Sequence, residues 1–486
     1  MTILTLAQFI ELAGLSSILY IISLAIYRLY FHPLAGFPGP KLAAATQLYE
    51  LYFDLFKRGQ FIWELQRMHK QYGPIIRINP DELHINDPEY YDTIYSGASH
   101  KRDRYEKWQT VSGTTQSVFG TTEHDLHRPR RAALNPFFAK RSVVRLEPRI
   151  TNKVSVLCER LAQALNEGTI LELCAVFVAL TTDVISDYCF GESYEYLLQR
   201  DFKKDWKETM ETLAEGGVFR RTVPWLVRLM QRLPHASVLR LMPTMKLLID
   251  LEKDISRKVE AIMSRTCSAE DKETRLTEEG IILIGAGSET TGKALAYTTF
   301  YILDTPGVLQ KLRDELTNAT PHSTDIPTWT ELEKLPYLTG VVMEGLRLSF
   351  GLTTRLPRVP HEALIYGDWV IPPRTVVSST TFFISTNPDI FPKPFAFKPE
   401  RWVRKDERHR LNKYITNFSK GTRACLGINL SYAELYLTIA AVFRRFDFEL
   451  YETTVDDVRM VRDATFPAPK ADSQGVRVIV KREVEV

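Results

Sequence analysis

Residues 418–427 place a cysteine between two glycines, immediately before a helix-prone stretch from Asn429 to Phe443. Glycine at 421 and 427 permits tight turns and lets the backbone approach a flat ligand closely, because no Cβ stands in the way. Free N–H groups at the start of the helix can lower the basicity of the Cys425 thiolate. Arg423 can pair with a carboxylate of the ligand. This combination predicts haem ligation, in which a thiolate donates electron density to iron and favours cleavage of the O–O bond.

The same segment resembles the cysteine loop of the cytochrome P-450 family. The match consists of one aromatic residue, two glycines, an arginine and the cysteine in the family's order and spacing, namely Phe418, Gly421, Arg423, Cys425 and Gly427. The resemblance extends over nearly the whole chain. It implies a mainly α fold with a smaller β lobe, of the α+β class, that binds haem b through the Cys425 thiolate. It also implies a monooxygenase that inserts one oxygen atom from O₂ into a C–H or C=C bond, using two electrons delivered singly.

A second match is the segment Ala286 to Thr291, within an apolar run that ends at Asp304. Glycines 285, 287 and 292 each cost about 1 kcal/mol relative to alanine in a helix, so we expect something to lie close to this backbone. The resemblance implies that this helix crosses the haem face, that Thr290 hydrogen-bonds dioxygen and that Glu289 helps to relay protons. Ala286 and Thr290 would then share the face toward the haem. The alternative is a glycine-softened core helix in which Thr290 bonds to its own backbone.

Glu344 and Arg347 place opposite charges three residues apart on one helical face. Such pairs are common on solvated helices and are a weak signal alone. The resemblance adds Arg401 and joins the three side chains into a buried network behind the cysteine loop, with a role in folding and haem retention.

The resemblance further implies a clamp on the haem carboxylates. Beside Arg423, it points to Arg358 and Arg131, and the rigid guanidinium fork suits this task because it matches a carboxylate. His127 stands where many family members carry tryptophan, and a histidine can still donate one hydrogen bond to a propionate. The alternative for Arg131 is that it forms an ordinary basic helix surface with its neighbouring arginines.

The N-terminus carries the membrane signal. No charged residue lies between Leu12 and Tyr27, and snorkelling by Arg28 extends this stretch to about 20 residues, near the minimum for a spanning helix. The first positive charges follow the apolar run, which favours a single-pass anchor over a secretory signal and places the rest of the chain in the cytosol. With the resemblance, this indicates the endoplasmic reticulum membrane. A buried core helix is the alternative.

The chain is predicted to divide into a membrane anchor at 1–32, a proline- and glycine-rich hinge at 33–40 and a haem-thiolate catalytic domain at 41–486. Composition allows a large core, because 44% of the residues are hydrophobic and 25% are charged. The formal net charge of +3 gives no argument for a nucleic-acid partner. The five cysteines are odd in number and lack the two-residue spacing of a zinc site, so we expect no disulfide framework and a reducing compartment.

Local patterns predict two β regions in a mostly helical body. Ile75 to Ile78 and Leu83 to Ile85 are short apolar runs separated by a turn signal, which is typical of a small hairpin. A second β-like stretch covers Ala363 to Thr381, with Gly367 and a double proline as turn residues. Helical periodicity dominates from about 120 to 350. The charged stretch Ser268 to Thr277 is predicted to be a solvated connector.

The implied electron donor is a membrane-bound NADPH-cytochrome P-450 reductase. Six cations near the cysteine loop in sequence suggest a basic docking surface for it, with ordinary surface charge as the equal alternative. These are Arg404, Lys405, Arg408, Arg410, Lys413 and Lys420.

The segments that would line the substrate cavity are largely apolar and favour a medium-sized hydrophobic small molecule. They are 95–119, 219–242, 282–286, 351–354 and 464–467. Residues 30–34, 37–40 and 131–138 look like those of fungal secondary-metabolism members similar to trichodiene oxygenase, which implies a terpenoid or polyketide-derived substrate. Two alternatives stay open: an isomerase or dehydratase of the same family that needs no O₂, and a non-catalytic carrier of apolar ligands.

Overall fold

The computed structural model describes residues 6–223, 229–230, 232–263, 270–320 and 322–484. Helices make up most of the described chain. The α-helices are Leu6–Ile26, Lys41–Ala45, Leu48–Leu51, Phe61–Tyr72, Tyr91–Ile94, His124–Phe138, Lys140–Glu167, Leu173–Phe190, Lys204–Glu215, Gly217–Thr222, His235–Leu241, Lys246–Met263, Glu270–Asp304, Val308–Ala319, Trp329–Leu332, Pro336–Ser349, Thr381–Ser385, Lys405–Asn412 and Ile428–Arg445.

The strands form a smaller β part. One sheet has five strands in the order Ile75–Arg77, Glu82–Ile85, Val376–Ser378, Arg358–Pro360 and Arg102–Arg104. Another has the order Ile170–Glu172, Arg477–Glu483 and Phe446–Leu450. Two hairpins pair Leu364–Tyr366 with Trp369–Ile371 and Arg462–Ala464 with Phe466–Ala468. The predicted α+β class, with helices dominant, is confirmed.

Glu270–Asp304, hereafter the central helix, packs closely against Leu173–Phe190. A Cβ on Gly292 would lie 2.8 Å from the Val178 backbone nitrogen, and one on Gly287 would lie 2.8 Å from Ile185 Cγ1. The close neighbour that the glycines predicted is therefore present, and at these two positions it is a second helix. Gly285 is less crowded, since its nearest neighbour is a methionine sulfur at 3.8 Å.

Both predicted β regions are confirmed. Ile75 pairs with Ile85 and Arg77 with Leu83 in an antiparallel hairpin, and the stretch 363–381 contains three strands with a left-handed turn at Gly367. The prediction of a connector at 268–277 is wrong for residues 270–277, which form the first two turns of the central helix; residues 268–269 lie outside the described part of the chain. Solvated charged side chains are compatible with a helix end, so charge alone does not indicate a loop.

The cysteines that the structure describes, Cys158, Cys174, Cys189 and Cys425, are all free thiols, as expected. Cys267 lies outside the described residues.

The N-terminal apolar segment is a helix, Leu6–Ile26, that continues through a wider helical turn to Phe31. Its mean hydropathy is 2.0 and it is not buried against the protein, so it is a candidate membrane span by length and composition. The helix Leu173–Phe190 is also long and apolar enough to span a membrane, but it is mostly buried in the core. After the N-terminal helix, Leu34 and Phe37 are buried, and Phe37 stacks on Trp369 at 4.8 Å between ring centroids.

A buried chain of two histidines and a threonine joins the first hairpin to the helix Phe61–Tyr72. His69 Nδ1 lies 2.8 Å from the Gly73 carbonyl and must donate to it, because a carbonyl only accepts. His69 Nε2 then accepts from His84 Nδ1 at 2.7 Å, and His84 Nε2 accepts from the Thr380 hydroxyl at 2.8 Å. This arrangement requires both rings to be neutral. Burial lowers the pKa of His69 to about 4, and burial together with the nearby His69 holds the pKa of His84 well below its usual value.

The hydrogen bonds of His69 and His84 predict that the free energy of unfolding decreases in mild acid. In the unfolded state His69 takes up a proton near pH 6.5, whereas in the folded state its pKa is about 4. The free energy of unfolding is therefore unaffected above pH 6.5 and decreases as the pH falls from 6.5 to 4. The decrease from His69 is about 3 kcal/mol in total. We expect the unfolding midpoint of His69→Gln to fall less between pH 7 and pH 5 than that of the natural protein. His409→Gln, on an exposed helix, is the control and should keep the natural pH dependence.

Candidate active site

The cysteine loop is held by hydrogen bonds of its own backbone. Cys425 N donates to the Phe418 carbonyl at 2.7 Å, and Ala424 N donates to the Gly421 carbonyl at 3.1 Å. Gly421 has a φ of 72°, and a Cβ there would collide with the carbonyl oxygen of Ser96, so only glycine fits. Gly427 is the N-cap of the helix Ile428–Arg445. The cysteine therefore lies at the mouth of a helix, as its sequence context indicated.

Cys425 has solvent-accessible surface, although the protein around it raises the pKa of its thiol through burial. A hydrogen bond from the Gly427 backbone and the charge of Arg131 act in the opposite direction. Arg131 stands beside this thiol because its Nη1 donates to the Ala424 carbonyl at 2.7 Å. The backbone N–H group at the start of the helix thus lowers the pKa of Cys425, as expected, but burial raises this pKa by more. A bound cation would reverse this balance, since a metal deprotonates a coordinating thiol.

On the central helix, Ala286 is exposed and Thr290 is half-buried, whereas most residues from 291 to 300 are buried. The Thr290 hydroxyl donates to the Ala286 carbonyl at 3.0 Å, so the two residues share a face. This hydrogen bond to the helix's own backbone is the one expected if the central helix were only a glycine-softened core helix. It does not exclude a role in catalysis, because the hydroxyl oxygen keeps its acceptor capacity and can rotate.

No hydrogen bond joins the described side chains of Glu289 and Thr290. The Glu289 carboxylate is almost fully buried and points to Lys293, with 3.0 Å between Oε1 and Nζ. The contact is an ion pair, and neither carboxylate oxygen has a hydrogen-bond partner among the described residues. Burial raises the pKa of Glu289, while the positive charge of Lys293 opposes the shift.

Four arginines and a histidine converge beside the cysteine loop. Arg423 donates to the carbonyls of Thr121 and Thr122 at 2.6 and 2.5 Å, and Arg358 donates to the carbonyls of Leu356 and Pro357, each at 3.2 Å. The others are Arg104, Arg131 and His127. Sequence reasoning named all of them except Arg104.

Arg104 was missed because its position depends on strand register. It stands directly opposite Arg358 in the antiparallel pair formed by Arg102–Arg104 and Arg358–Pro360. Like charges directly opposite one another destabilise a strand pair, and here both side chains are buried. No spacing within the charged run 101–104 distinguishes Arg104 from its neighbours.

These residues, hereafter the cation cluster, are Arg104, His127, Arg131, Arg358 and Arg423. Asp103 is a nearby acid, and its charge raises the pKa of Arg423 against the larger effect of burial. Within the described part of the chain, none of the cluster's arginines forms a salt bridge with a carboxylate, and Arg358 Nη2 and Arg423 Nε have no hydrogen-bond partner. Burial and the neighbouring arginines lower the pKa of Arg423 to about 9 and that of His127 to about 2. Buried charges are normally paired, so these residues fit an anionic ligand. The two propionates of haem beside a cysteine ligand meet this requirement.

Glu344, Arg347 and Arg401 form the predicted buried network. Glu344 and Arg347 are fully buried and joined by two hydrogen bonds of 2.9 and 2.7 Å. Arg401 Nε donates to Glu344 at 3.2 Å, and Trp402 Nε1 donates to it at 2.9 Å. Trp402 is a further member that the charge pattern could not indicate.

Four of the five segments expected to line the substrate cavity meet in two pairs, 95–119 with 219–242 and 351–354 with 464–467. Thr110 donates to the Arg220 carbonyl at 2.8 Å, and Thr353 N donates to the Thr465 carbonyl at 3.1 Å. Residues 224–228 and 231 of the segment 219–242 lie outside the described residues. The junction is more polar than expected, because Arg221 is ion-paired with Glu50 and with Asp54 and stacks on the Trp108 ring at 4.8 Å. Glu50 and Asp54 belong to the N-terminal part of the chain. No sequence motif near them predicts that they lie close to this junction.

The basic cluster at 404–420 is mostly neutralised. Arg404 pairs with Asp406 at 2.6 Å and Arg410 with Glu407 at 2.9 Å. Lys413 pairs with Glu89 at 2.9 Å and Lys420 with Asp92 at 2.6 Å. Only Lys405 and Arg408 of the six have no ion pair with a described residue, which favours ordinary surface charge over a docking surface at this place.

Comparison with known proteins gives matches over most of the chain. A sequence model described as cytochrome P-450 matches residues 46–470. The chain is 42% identical to the cytochrome P-450 monooxygenase sdnE of Sordaria araneosa, over 95% of this chain and 96% of that protein. It is 42% identical to conidiogenone synthase of Penicillium rubens, over 95% and 97%. It is 40% identical to the tryptophan 6-hydroxylase fscE of Fusarium equiseti, over 95% of each chain.

Proposed function

The chain belongs to the cytochrome P-450 family of monooxygenases, and from this we propose that it inserts one oxygen atom from O₂ into a hydrophobic small molecule. The electrons come from an NADPH-cytochrome P-450 reductase. The substrate is a terpenoid or polyketide-type intermediate of fungal secondary metabolism. The fungal relatives support this class, although the names conidiogenone synthase and tryptophan 6-hydroxylase refer to different compounds.

The buried cation cluster beside Cys425 is the observation that carries the proposal. We assign the iron to the Cys425 thiolate and the haem carboxylates to Arg423, Arg358 and Arg131, with Arg104 added by the structure. Burial and the surrounding cations lower the pKa of His127 to about 2, so the neutral ring offers a propionate one hydrogen bond. Haem b, when bound, supplies the iron chemistry of oxygen activation.

Thr290 and Glu289 are the proposed catalytic side chains. Thr290 lies on the exposed face of the central helix and can offer its hydroxyl toward the haem face. Glu289 is a buried carboxyl whose pKa is raised by burial, which lets it hold a proton at a pH where an exposed carboxylate would not. Together they provide an alcohol and an acid for proton delivery.

Consumption of NADPH and O₂ by the full-length protein with purified reductase tests this function. Metabolites that accumulate in a strain lacking the gene supply the candidate substrates. A monooxygenase consumes one NADPH and one O₂ for each oxygen atom inserted. Conversion of the substrate without either would support the isomerase or dehydratase alternative, and binding without conversion would support the carrier.

We propose that the protein is a single-pass protein of the endoplasmic reticulum membrane with a cytosolic catalytic domain. The anchor is 1–32, the hinge 33–40 and the catalytic domain 41–486. The unburied helix Leu6–Ile26 supports this, and so do apolar side chains that are exposed shortly after it. These are Leu42, Leu48, Tyr52 and Phe56.

We place the reductase docking surface on the helix His124–Phe138 and the start of the next helix. This docking surface consists of Arg128, Arg141 and Arg145 with the exposed apolar residues Leu126 and Phe137. None of the three arginines forms an ion pair with a described residue, in contrast to Lys413 and Lys420. The helix also carries Arg131, which contacts the cysteine loop, so electrons arriving here have a short path.

Charge reversal tests this docking surface. The double variant Arg128→Glu and Arg141→Glu is expected to slow reduction by the reductase by about ten-fold at low ionic strength and to flatten its salt dependence, because favourable electrostatic steering is lost. Reduction is followed by formation of the ferrous carbon monoxide complex. The matched control is Lys413→Glu with Lys405→Glu, which carries the same charge change. If the control slowed reduction more than the double variant, the docking surface would lie at residues 404–420 instead.

A further inference from the structure

Arg220 is a half-buried cation without an acidic partner. It lies in the short helix Gly217–Thr222. No salt bridge joins it to a carboxylate of the described residues, whereas the next residue, Arg221, is ion-paired with both Glu50 and Asp54. Burial lowers the pKa of Arg220 to about 10, and no acid of the described chain offsets this shift. Arg220 is therefore still a cation at neutral pH, and its charge is not balanced.

One edge of the Arg220 guanidinium is held by the protein and the other is free. Nε and Nη2 both donate to the Val111 carbonyl, at 2.9 and 2.6 Å, and Nη2 also donates to the Leu213 carbonyl at 2.5 Å. These acceptors are neutral, so they orient the guanidinium without balancing its charge. Nη1 donates to no described residue, and it is not among the buried unpaired atoms, so it has accessible surface. Two N–H groups therefore remain for a ligand.

Arg220 lies where segments expected to line the substrate cavity meet. Its carbonyl accepts a hydrogen bond from Thr110 at 2.8 Å, so its backbone and its side chain both hold the segment 95–119. A Cβ on Gly217 would lie 2.9 Å from the Thr465 hydroxyl and 3.7 Å from Arg220 Nη2. The turn that carries Thr465 is thus close to the same guanidinium. Three of the five segments, which are largely apolar, come together beside one unbalanced cation.

We propose that Arg220 binds a carboxylate of the substrate through Nη1, so that the molecule oxidised is a hydrophobic acid. The inference rests on the proposed function and names the substrate class of the same site. A carboxylate supplies the missing counter-charge, since buried charges are normally paired. It also accepts charge-assisted hydrogen bonds from a guanidinium, which are stronger than those between neutral groups. Fixing this end of the substrate restricts which of its carbons can lie beside Thr290.

The first test compares acids with alcohols in the natural holoenzyme. The probes are ω-imidazolyl fatty acids of increasing chain length and the ω-imidazolyl alcohols of the same lengths. Their imidazole binds the haem iron and shifts its absorption band, so affinity is measured without turnover. We expect the acid of best-fitting length to bind about ten-fold more tightly than its alcohol, because a hydrogen bond to a charged group contributes more than a neutral one. Alcohols that bind as tightly as the acids at every length would overturn the proposal.

The second test removes the charge. In Arg220→Met the preference for acids over alcohols should disappear, and in Arg220→Lys it should persist in part, because the charge remains while the rigid fork is lost. Arg240→Met is the matched control, since it makes the same change at an exposed arginine of the segment 219–242 and should keep the full preference. Equal losses of affinity for acids and alcohols in Arg220→Met would show that Arg220 only joins the segments, and would overturn the proposal.

Failure of this inference and failure of the proposed function are distinguishable. A natural protein that binds no haem shows no shift with any probe, which contradicts the proposed function and the inference with it. A haem-containing protein that shifts with all probes but does not prefer acids contradicts only the role of Arg220. Arg220→Met also loses the bonds to Val111 and Leu213. If it fails to fold for that reason, the preferences of the natural protein and of Arg220→Lys still decide.

Discussion

Cys425→Ser is expected to lose the ferrous carbon monoxide spectrum that is typical of thiolate-ligated haem. A serine hydroxyl stays protonated at neutral pH and donates little electron density to iron, whereas a thiol is deprotonated outright when it coordinates a metal. The cation cluster would remain, so some haem could still be held by its propionates, but with a different spectrum. The measurement is the spectrum of the dithionite-reduced, carbon monoxide-treated protein beside that of the natural chain.

Cys189→Ser is the matched control. Cys189 is half-buried in the helix Leu173–Phe190 and belongs to neither the cysteine loop nor the cation cluster, so we do not expect it to hold the iron. Its replacement should leave the spectrum unchanged. A natural spectrum in Cys425→Ser, or an imidazole-type spectrum in the unmodified protein, would contradict the assignment of Cys425 as the iron ligand.

The elements that the sequence predicted well are those specified by neighbouring residues. The hairpin at 75–85 follows from two apolar runs and a turn signal within eleven residues. The left-handed turn at Gly421 follows from a glycine that no other residue can replace. The pair Glu344 and Arg347 follows from helical spacing. In each case the interacting groups are close in sequence, so periodicity and turn chemistry are sufficient.

The features that were missed depend on residues far apart in the chain. Arg104 meets Arg358 only through strand register. Arg221 meets Asp54 across 167 residues, and Lys420 is neutralised by Asp92 across 328 residues. A sequence shows which cations exist, but not which acids the fold brings to them. Whether a cluster forms a docking surface or a closed ion-pair network therefore has to be decided from the structure.

The largest expected effect on stability is that of Glu344→Gln. Arg347 is fully buried, and its remaining partners would be carbonyl groups, among them those of Ser385 and Pro394. Removing the carboxylate strands this guanidinium without a counter-charge and weakens the bonds from Arg401 and Trp402. Breaking a buried pair in this way costs about 3–5 kcal/mol. Since whole domains are stable by only about 5–15 kcal/mol, we expect a much lower unfolding midpoint and poor yield of folded protein.

Glu400→Gln is the control for this variant, because it makes the same chemical change on a neighbouring segment. Glu400 is 51% exposed and pairs with Lys311 at 2.7 Å, and such surface pairs contribute only about 0–1 kcal/mol. Equal losses in the two variants would contradict a special role of the buried network. Adding Arg347→Met to Glu344→Gln should recover part of the loss, since the stranded charge is then removed. That recovery would identify the uncompensated guanidinium, and not lost packing around Glu344, as the cause.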